Sequence, residues 1–261
     1  MKPQTLRASD GSTLRWMESG AGEPLLLIHG VGMRAEAWGP QMGLPGRVIA
    51  VDMPGHGGTS ALPEGALLPD YVAWAARAVD ALGLTAVNVA GHSMGALVAL
   101  GLAVTHPEKV RRVALLNGVH RRTAEARAAV VARAEAIATG EFDLETPLNR
   151  WFDPGQEAIR ADVAGWLSAV NRAGYAAAYR AFSQGDDVYA DRLSQIRCPA
   201  LMLTGAGDPN STAEMARAMA AAAHGEAVVI EGHRHMVNLT APELVNQALT
   251  RWLSQKETTH V

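Results

Sequence analysis

An open, mostly parallel α/β sheet with helices on both faces, broken once by an inserted helical cap, is the fold class this sequence predicts. Three observations carry the prediction. Short apolar runs alternate with helical stretches early in the chain and again near its end. Between residues 118 and 197 there is no convincing strand, yet helical patterning continues, over a span too long for an ordinary loop. The composition, 48% hydrophobic and 19% charged without excess Gly or Pro, is that of a globular chain and excludes disordered and collagen-like classes.

The elements follow in order. Residues 14–18 and 25–29 read as strands, the second a continuous apolar run of the kind buried on both faces of a parallel sheet; 48–52 repeats the pattern. Pro69 suits a first helical turn, so a helix is expected to about residue 82, stopped by Gly83. A strand at 87–90, a Gly-rich turn, a helix from 93 to about 104 and a strand at 110–116 come next, with Pro107 ending the helix. Helices are expected at 123–139, 144–152, 156–168 and 174–182. The alternation then resumes with a strand at 200–204, a helix at 212–223, a strand at 227–231 and a closing helix at 242–255. The expected organisation is a core of residues 1–117 and 191–261 with a helical cap, or lid, of residues 118–190. The cap is expected over the sheet edge where strands end and ligands bind in such folds.

Four segments carry chemistry. Gly91-His92-Ser93-Met94-Gly95 lies between an apolar strand and a helix, the context that turns G-x-S-x-G into a nucleophile elbow. The tight turn strains the serine backbone, flanking glycines remove Cβ clashes, and Ser93 Oγ is lifted over a helix N-terminus. His29-Gly30-Val31-Gly32 follows a buried strand, where a loop N–H can stabilise an oxyanion together with that of Met94; Val31 is the first choice and Gly32 the fallback. Gly205-Ala206-Gly207-Asp208 places an acid after a late strand, where it can orient a histidine. Asn210, Ser211 or Thr212 can cap the next helix in its place. Asp186, Asp187 and Asp191 are poorer candidates, and position 117, the other place an acid could reach the histidine, is Asn. In Gly232-His233-Arg234-His235-Met236, His235 is preferred as the base. The segment after it leads to Thr240 as N-cap and Pro242 in the first turn of the last helix, leaving His233 a supporting role.

The charge balance, 26 acids against 23 bases for a net −3, shows no footprint for nucleic acid or an anionic membrane. A single cysteine, Cys198, excludes an internal disulfide framework and a Cys-cluster metal site. No two histidines sit at ligand spacing with a carboxylate, so neither metal nor cofactor is expected. Without a long apolar span or an apolar leader, a soluble cytoplasmic protein is expected. Oligomeric state is not readable.

With these motifs in this chain order the sequence resembles the α/β-hydrolase family. The likeness runs through the H-G-V-G loop, D-M-P-G-H-G-G-T-S at residues 52–60, G-H-S-M-G, the later G-D, and H-M-V-N-L-T-A-P. Two positions depart from it: Ala96 stands where many relatives carry a second Gly, and G-H-R-H replaces a plain G-H. The resemblance implies the α/β-hydrolase fold with Ser93 as nucleophile, Asp208 as orienting acid, His235 as general base, Val31 and Met94 as oxyanion donors, and residues 52–60 as a structural turn. Residues 117–122 and Arg197-Cys198-Pro199 make the chain most similar to small bacterial hydrolases of ring-degradation pathways. These comprise enol-lactonases, C–C hydrolases of meta-cleavage products, and amide or enamine hydrolases of heterocycle catabolism.

The activity so implied is acyl transfer to water: cleavage of a small ester, lactone or related acyl bond through an acyl-enzyme on Ser93. The alternatives are a C–C or C–N bond hydrolase, a cofactor-free lyase or oxygenase on the same scaffold, and a non-catalytic ligand-binding protein. Dehalogenases and epoxide hydrolases are excluded, since they need a carboxylate at position 93. Eight of the thirteen aromatic residues fall in the cap or at its exit. Trp151, Trp166, Tyr175 and Tyr179 from it, with Trp38 from the early loop, are the expected apolar walls of a small-molecule pocket. All eight basic residues of the cap are Arg (121, 122, 127, 133, 150, 160, 172 and 180) against ten acids, which favours an exposed, paired helix surface over an anion site.

Overall fold

The computed structural model describes residues 2–256. The strands are β1 (Gln4–Arg7), β2 (Thr13–Gly20), β3 (Pro24–Ile28), β4 (Arg47–Val51), β5 (Val87–His92), β6 (Val110–Leu116), β7 (Ala200–Gly205) and β8 (Glu226–Ile230). They form one sheet in the order β1-β2-β4-β3-β5-β6-β7-β8. From β4 to β8 every pairing is parallel, while β1 and β2 are antiparallel additions at one edge. β1 has no counterpart in the sequence reading; all four of its residues are exposed, so it lacks the apolar pattern that marks a buried strand.

Alternation along β3 builds the two layers of the core. Leu26 and Ile28 join the cluster packed under α1 (Leu68–Ala81) and α2 (Met94–Thr105), while Leu25 and Leu27 face Trp38, Ala248 and Trp252 on the opposite side. All four β3 side chains are fully buried, each contributing about 1.5–3 kcal/mol of apolar stabilisation. The helix α2 is buried from Met94 to Val104, which is why that stretch is apolar all round.

Between β6 and β7 the chain forms α3 (Ala124–Ala138), α4 (Glu145–Trp151), α5 (Glu157–Ser168) and α6 (Arg172–Ser183). Thr123 and Asn171 cap α3 and α6, their side chains accepting from the Ala126 and Gly174 amides. With Asn171 as cap, α6 starts at Arg172, two residues before the glycine at which the sequence reading begins it. The insertion has its own apolar cluster, with Ile137, Leu148, Phe152, Val163, Leu167 and Tyr175 packed on Met33, Ala37, Met236 and Leu239 of the core loops. Its entry and exit meet at Asp186, which is fully buried. Asp186 Oδ1 accepts from Arg122 Nη1 at 2.9 Å, and Oδ2 accepts from the Arg122 amide at 2.7 Å and Arg127 Nη2 at 3.1 Å. A second close join is backbone on backbone: a Cβ on Gly174 would lie 2.1 Å from the Gly55 carbonyl oxygen, so only glycine lets α6 sit on the 52–60 turn.

The chain closes with α7 (Ala213–Ala222), a short α8 (Val237–Thr240) and α9 (Pro242–Leu253). Thr212 caps α7, accepting from the Met215 amide, so Asp208 is not needed for that role. Thr240 was expected to cap the last helix, but Ala241 holds the cap position without a side-chain bond. The Thr240 hydroxyl meets His233 Nδ1 at 3.0 Å, because α8 turns it toward the preceding loop.

Candidate active site

The site forms at the carboxyl ends of β5, β7 and β8. Ser93, between β5 and α2, has φ +55° and ψ −117°, a backbone conformation that L-residues rarely adopt. Two glycines make the turn possible. A Cβ on Gly91 would lie 2.0 Å from the Gly95 carbonyl oxygen, and one on Gly95 would lie 2.1 Å from that of Ile28. The Ser93 amide donates to Leu116 O at 2.9 Å, which ties the elbow to β6.

Asp208 follows β7 and is buried. Its Oδ2 receives His235 Nδ1 at 2.7 Å and Asn117 Nδ2 at 2.8 Å, and its Oδ1 receives the Asn210 amide at 2.8 Å. Burial pushes this carboxyl up, but the His235 charge and these hydrogen bonds outweigh it and hold it below the ordinary carboxylate value of 3.8. Asp208 is therefore an ionised acceptor bonded to one nitrogen of the His235 ring. Asp187 and Asp191 ion-pair with Arg127 and Arg121, away from this ring.

His235 comes to the elbow from the loop after β8. Its carbonyl meets His92 Nε2 at 2.8 Å, and the two rings lie 5.0 Å apart, so the residue preceding Ser93 anchors the residue bonded to Asp208. Trp151 of α4 stacks on the His235 ring at 5.6 Å and 27°. No hydrogen bond joins Ser93 Oγ to His235 among the described residues. His233 stands apart, on Thr240.

The 29–33 loop lies against the elbow: a Cβ on Gly30 would be 2.9 Å from Ser93 Cβ. The Gly32 amide donates to His56 Nε2 at 3.0 Å and the Met33 amide to Gly30 O at 3.2 Å. That commits Gly32, the fallback oxyanion donor, elsewhere and leaves Val31 as the candidate beside Met94. Beneath the loop, Asp52 takes Arg15 Nη1 at 2.6 Å and the Ala35 amide at 2.7 Å, so the 52–60 turn braces this loop. Burial drives His56 and His92 down to about 3, both are further lowered by a neighbouring histidine, and the rings are neutral hydrogen-bonding spacers at neutral pH.

Of the expected pocket residues, four come together. The Tyr175 ring lies over Gly32, where a Cβ would meet its Cε2 at 2.9 Å, and it packs on Phe142 and Tyr179 at 5.6 and 5.9 Å. Trp151, Trp166 and Tyr179 border the same apolar cluster. Trp38 does not join them. It is fully buried on the far side of the sheet, with its ring edge-on to His92 at 6.5 Å, because the 3-10 turn Ala35–Gln41 carries it under the loop.

Sequence reasoning passed over Asn117 because it looked there for an acid. Its φ of +48°, tolerated by Asn, turns its side chain toward Asp208, Thr204 Oγ1 and Arg234 O. A polar residue directly after an apolar strand, level with the acid loop, was the available signal. Among the described residues no group of three or more His, Cys, Asp or Glu is arranged to hold a metal ion, and no helix is long and apolar enough to cross a membrane.

Comparison with known proteins gives the same architecture. The alpha/beta hydrolase family matches residues 25–248. The chain is 56% identical over 259 residues to (E)-2-((N-methylformamido)methylene)succinate hydrolase of Acinetobacter baylyi, covering 97% of this chain and 98% of that protein. Among solved structures, a hydrolase from Pseudomonas aeruginosa superposes with a TM-score of 0.85 at 26% identity, covering 97% of this chain and 98% of that one. The enol-lactonase of Burkholderia xenovorans, with a TM-score of 0.83 at 22% identity over 97% of this chain and all of its own, shares the fold. The chain belongs to the alpha/beta hydrolase family, and it is a hydrolase.

Proposed function

We propose that the protein hydrolyses the acyl–nitrogen bond of a small N-acylated enamine dicarboxylate through an acyl-enzyme on Ser93. The observation that carries the mechanism is the strained Ser93 beside a buried His235 whose Nδ1 is held by Asp208. The substrate class comes from the Acinetobacter relative, whose named substrate is a succinate bearing an N-methylformamidomethylene group.

In this reading His235 accepts the Ser93 proton as Oγ attacks the acyl carbonyl, and the Val31 and Met94 amides hold the resulting oxyanion. The carbon–nitrogen bond then breaks, with His235 returning its proton to the leaving nitrogen. Water, deprotonated by His235, attacks the ester on Ser93 and releases the acid and free enzyme. The serine–histidine hydrogen bond forms as substrate settles, as such bonds often tighten only in the working complex. Helices α3 to α6 act as the cap, with Trp151, Trp166, Tyr175 and Tyr179 walling the pocket. The same machinery accepts small esters and lactones.

The test is turnover of (E)-2-((N-methylformamido)methylene)succinate beside a panel of p-nitrophenyl esters, lactones and amides. Ser93→Ala is expected to lower kcat by about 10⁴-fold or more with the fold intact. An organophosphonate is expected to trap Ser93 and abolish activity. Retention of most activity by Ser93→Ala, or no trapping, would overturn the acyl-enzyme in favour of a non-covalent lyase-type reaction.

A further inference from the structure

We propose that Arg122 and the Tyr179 hydroxyl form a subsite for one carboxylate of a small dicarboxylate substrate; this rests on the function proposed above and names the groups that select its substrate. The starting point is an unsatisfied cation. The Arg122 side chain is only 4% exposed. Its Nη1 donates to Asp186 Oδ1 at 2.9 Å and to Phe182 O at 3.3 Å, and its guanidinium carbon lies 4.4 Å from the Phe182 ring centre. The remaining terminal nitrogen, Nη2, is buried with no hydrogen-bond partner. A buried guanidinium N–H left unpaired carries its full desolvation penalty, and the opposing oxygen is missing from the protein itself.

Position ties this nitrogen to the site. Arg122 lies five residues beyond Asn117, whose side chain bonds Asp208. The Phe182 ring under the guanidinium packs on Tyr179 at 5.9 Å, Tyr179 packs on Tyr175 at 5.9 Å, and Tyr175 covers Gly32 of the loop beside Ser93. The Tyr179 hydroxyl also makes no hydrogen bond among the described residues. Its surroundings are cationic: burial raises its pKa against the opposing charges of Arg133, Arg122 and Arg150. Arg133 Nη2 donates to the Asp143 carbonyl at 2.8 Å and its Nη1 lies 3.5 Å from the carboxylate, and Arg150 bonds Asn210 without a carboxylate partner among the described residues. Five of the insertion's eight arginines pair with carboxylates, as the sequence reading expects of many of them, while Arg150, Arg172 and Arg180 have no carboxylate partner among the described residues. A guanidinium nitrogen, a phenol and two further arginines suit an oxygen anion.

A purely structural Arg122 would serve only to hold the neck of the insertion to Asp186, a task Nη1 and the Arg122 amide already perform. The experiment is isothermal titration with itaconate (2-methylenesuccinate), which has both carboxylates and the methylene frame but no acyl group, and with its dimethyl ester. Wild-type protein is expected to bind itaconate saturably and the diester far more weakly. Arg122→Gln is expected to weaken itaconate about 10- to 100-fold, the loss of one charge-assisted contact, with Arg122→Lys recovering part of it. Tyr179→Phe is expected to weaken it less and decides the matter should Arg122→Gln not fold. Unchanged itaconate affinity in a folded Arg122→Gln, or in Tyr179→Phe, overturns the subsite. So does a wild-type protein that binds diester and dianion alike. Titration needs no turnover: itaconate binding without enamide hydrolysis would sink the proposed reaction and leave the subsite standing, and the reverse would sink the subsite alone.

Discussion

On the sheet side of the site, Ser93, Asp208 and His235 are fixed by hydrogen bonds of 2.7 to 2.9 Å and by glycines that leave no room for a methyl group. On the insertion side the contacts are rings on rings, as with Trp151 on His235 and Tyr175 on Phe142, and arginines on rings, as with Arg172 3.2 Å over Phe142. Fixed dipoles suit bond making, where small displacements change the barrier; adaptable apolar and cationic walls suit recognition. Under the proposed function, the contrast would put the chemistry at the sheet edge and substrate selection on the helices.

The comparison breaks most visibly at the elbow. Gly95→Ala places a methyl carbon 2.1 Å from the Ile28 carbonyl oxygen, where only backbone can yield. A loss of at least about 3 kcal/mol is expected by urea unfolding. A loss under about 1 kcal/mol would mean that the elbow is as adaptable as the insertion.

Acid should also act on the sheet side first. His56 and His92 titrate near 3 when folded, against an ordinary value of 6.5, because both are buried beside another histidine. The unfolded chain thus takes up protons first as pH falls. The stability tied to each ring is complete above about pH 6.5 and declines toward pH 3, by on the order of 1 kcal/mol per pH unit for each histidine. Residues 124–183 contain no histidine. Amide exchange followed from pH 7 to pH 5 should show protection falling around β5 and the 52–60 turn; a uniform fall, or none, would remove this asymmetry.

The smallest effect has the opposite sign. Gly165 lies within α5, is exposed, and a Cβ there meets nothing within 4 Å. Gly165→Ala is expected to raise stability by about 0.5–1 kcal/mol through helix propensity, read as a higher Tm. Destabilisation would show that the insertion is packed more tightly than its contacts indicate.

What the sequence made legible follows the same division. Strands β2 to β8 fall within a residue or two of expectation, and in β3 and β4 continuous apolar runs report burial on both faces. β1 escaped, since an exposed edge strand carries no such run. Ser93, Asp208 and His235 were readable because strained turns and strand-end loops leave Gly signatures. Asn117's contact with Asp208 and the role proposed for Arg122 were not, since they depend on a backbone φ and on a buried nitrogen that no local pattern encodes. Trp38 was misplaced for a related reason: an aromatic near a loop motif does not show on which side of the sheet it packs.

Asp186 gathers the Arg122 amide, the Arg122 guanidinium and Arg127 onto one carboxylate, closing the ends of the insertion on each other. A segment pinned at both ends in this way behaves as a cassette. Exchange within residues 128–182 is then expected to leave the geometry of the elbow unchanged, provided that clasp, the Gly55–Gly174 seat and the stack of Trp151 on His235 are retained.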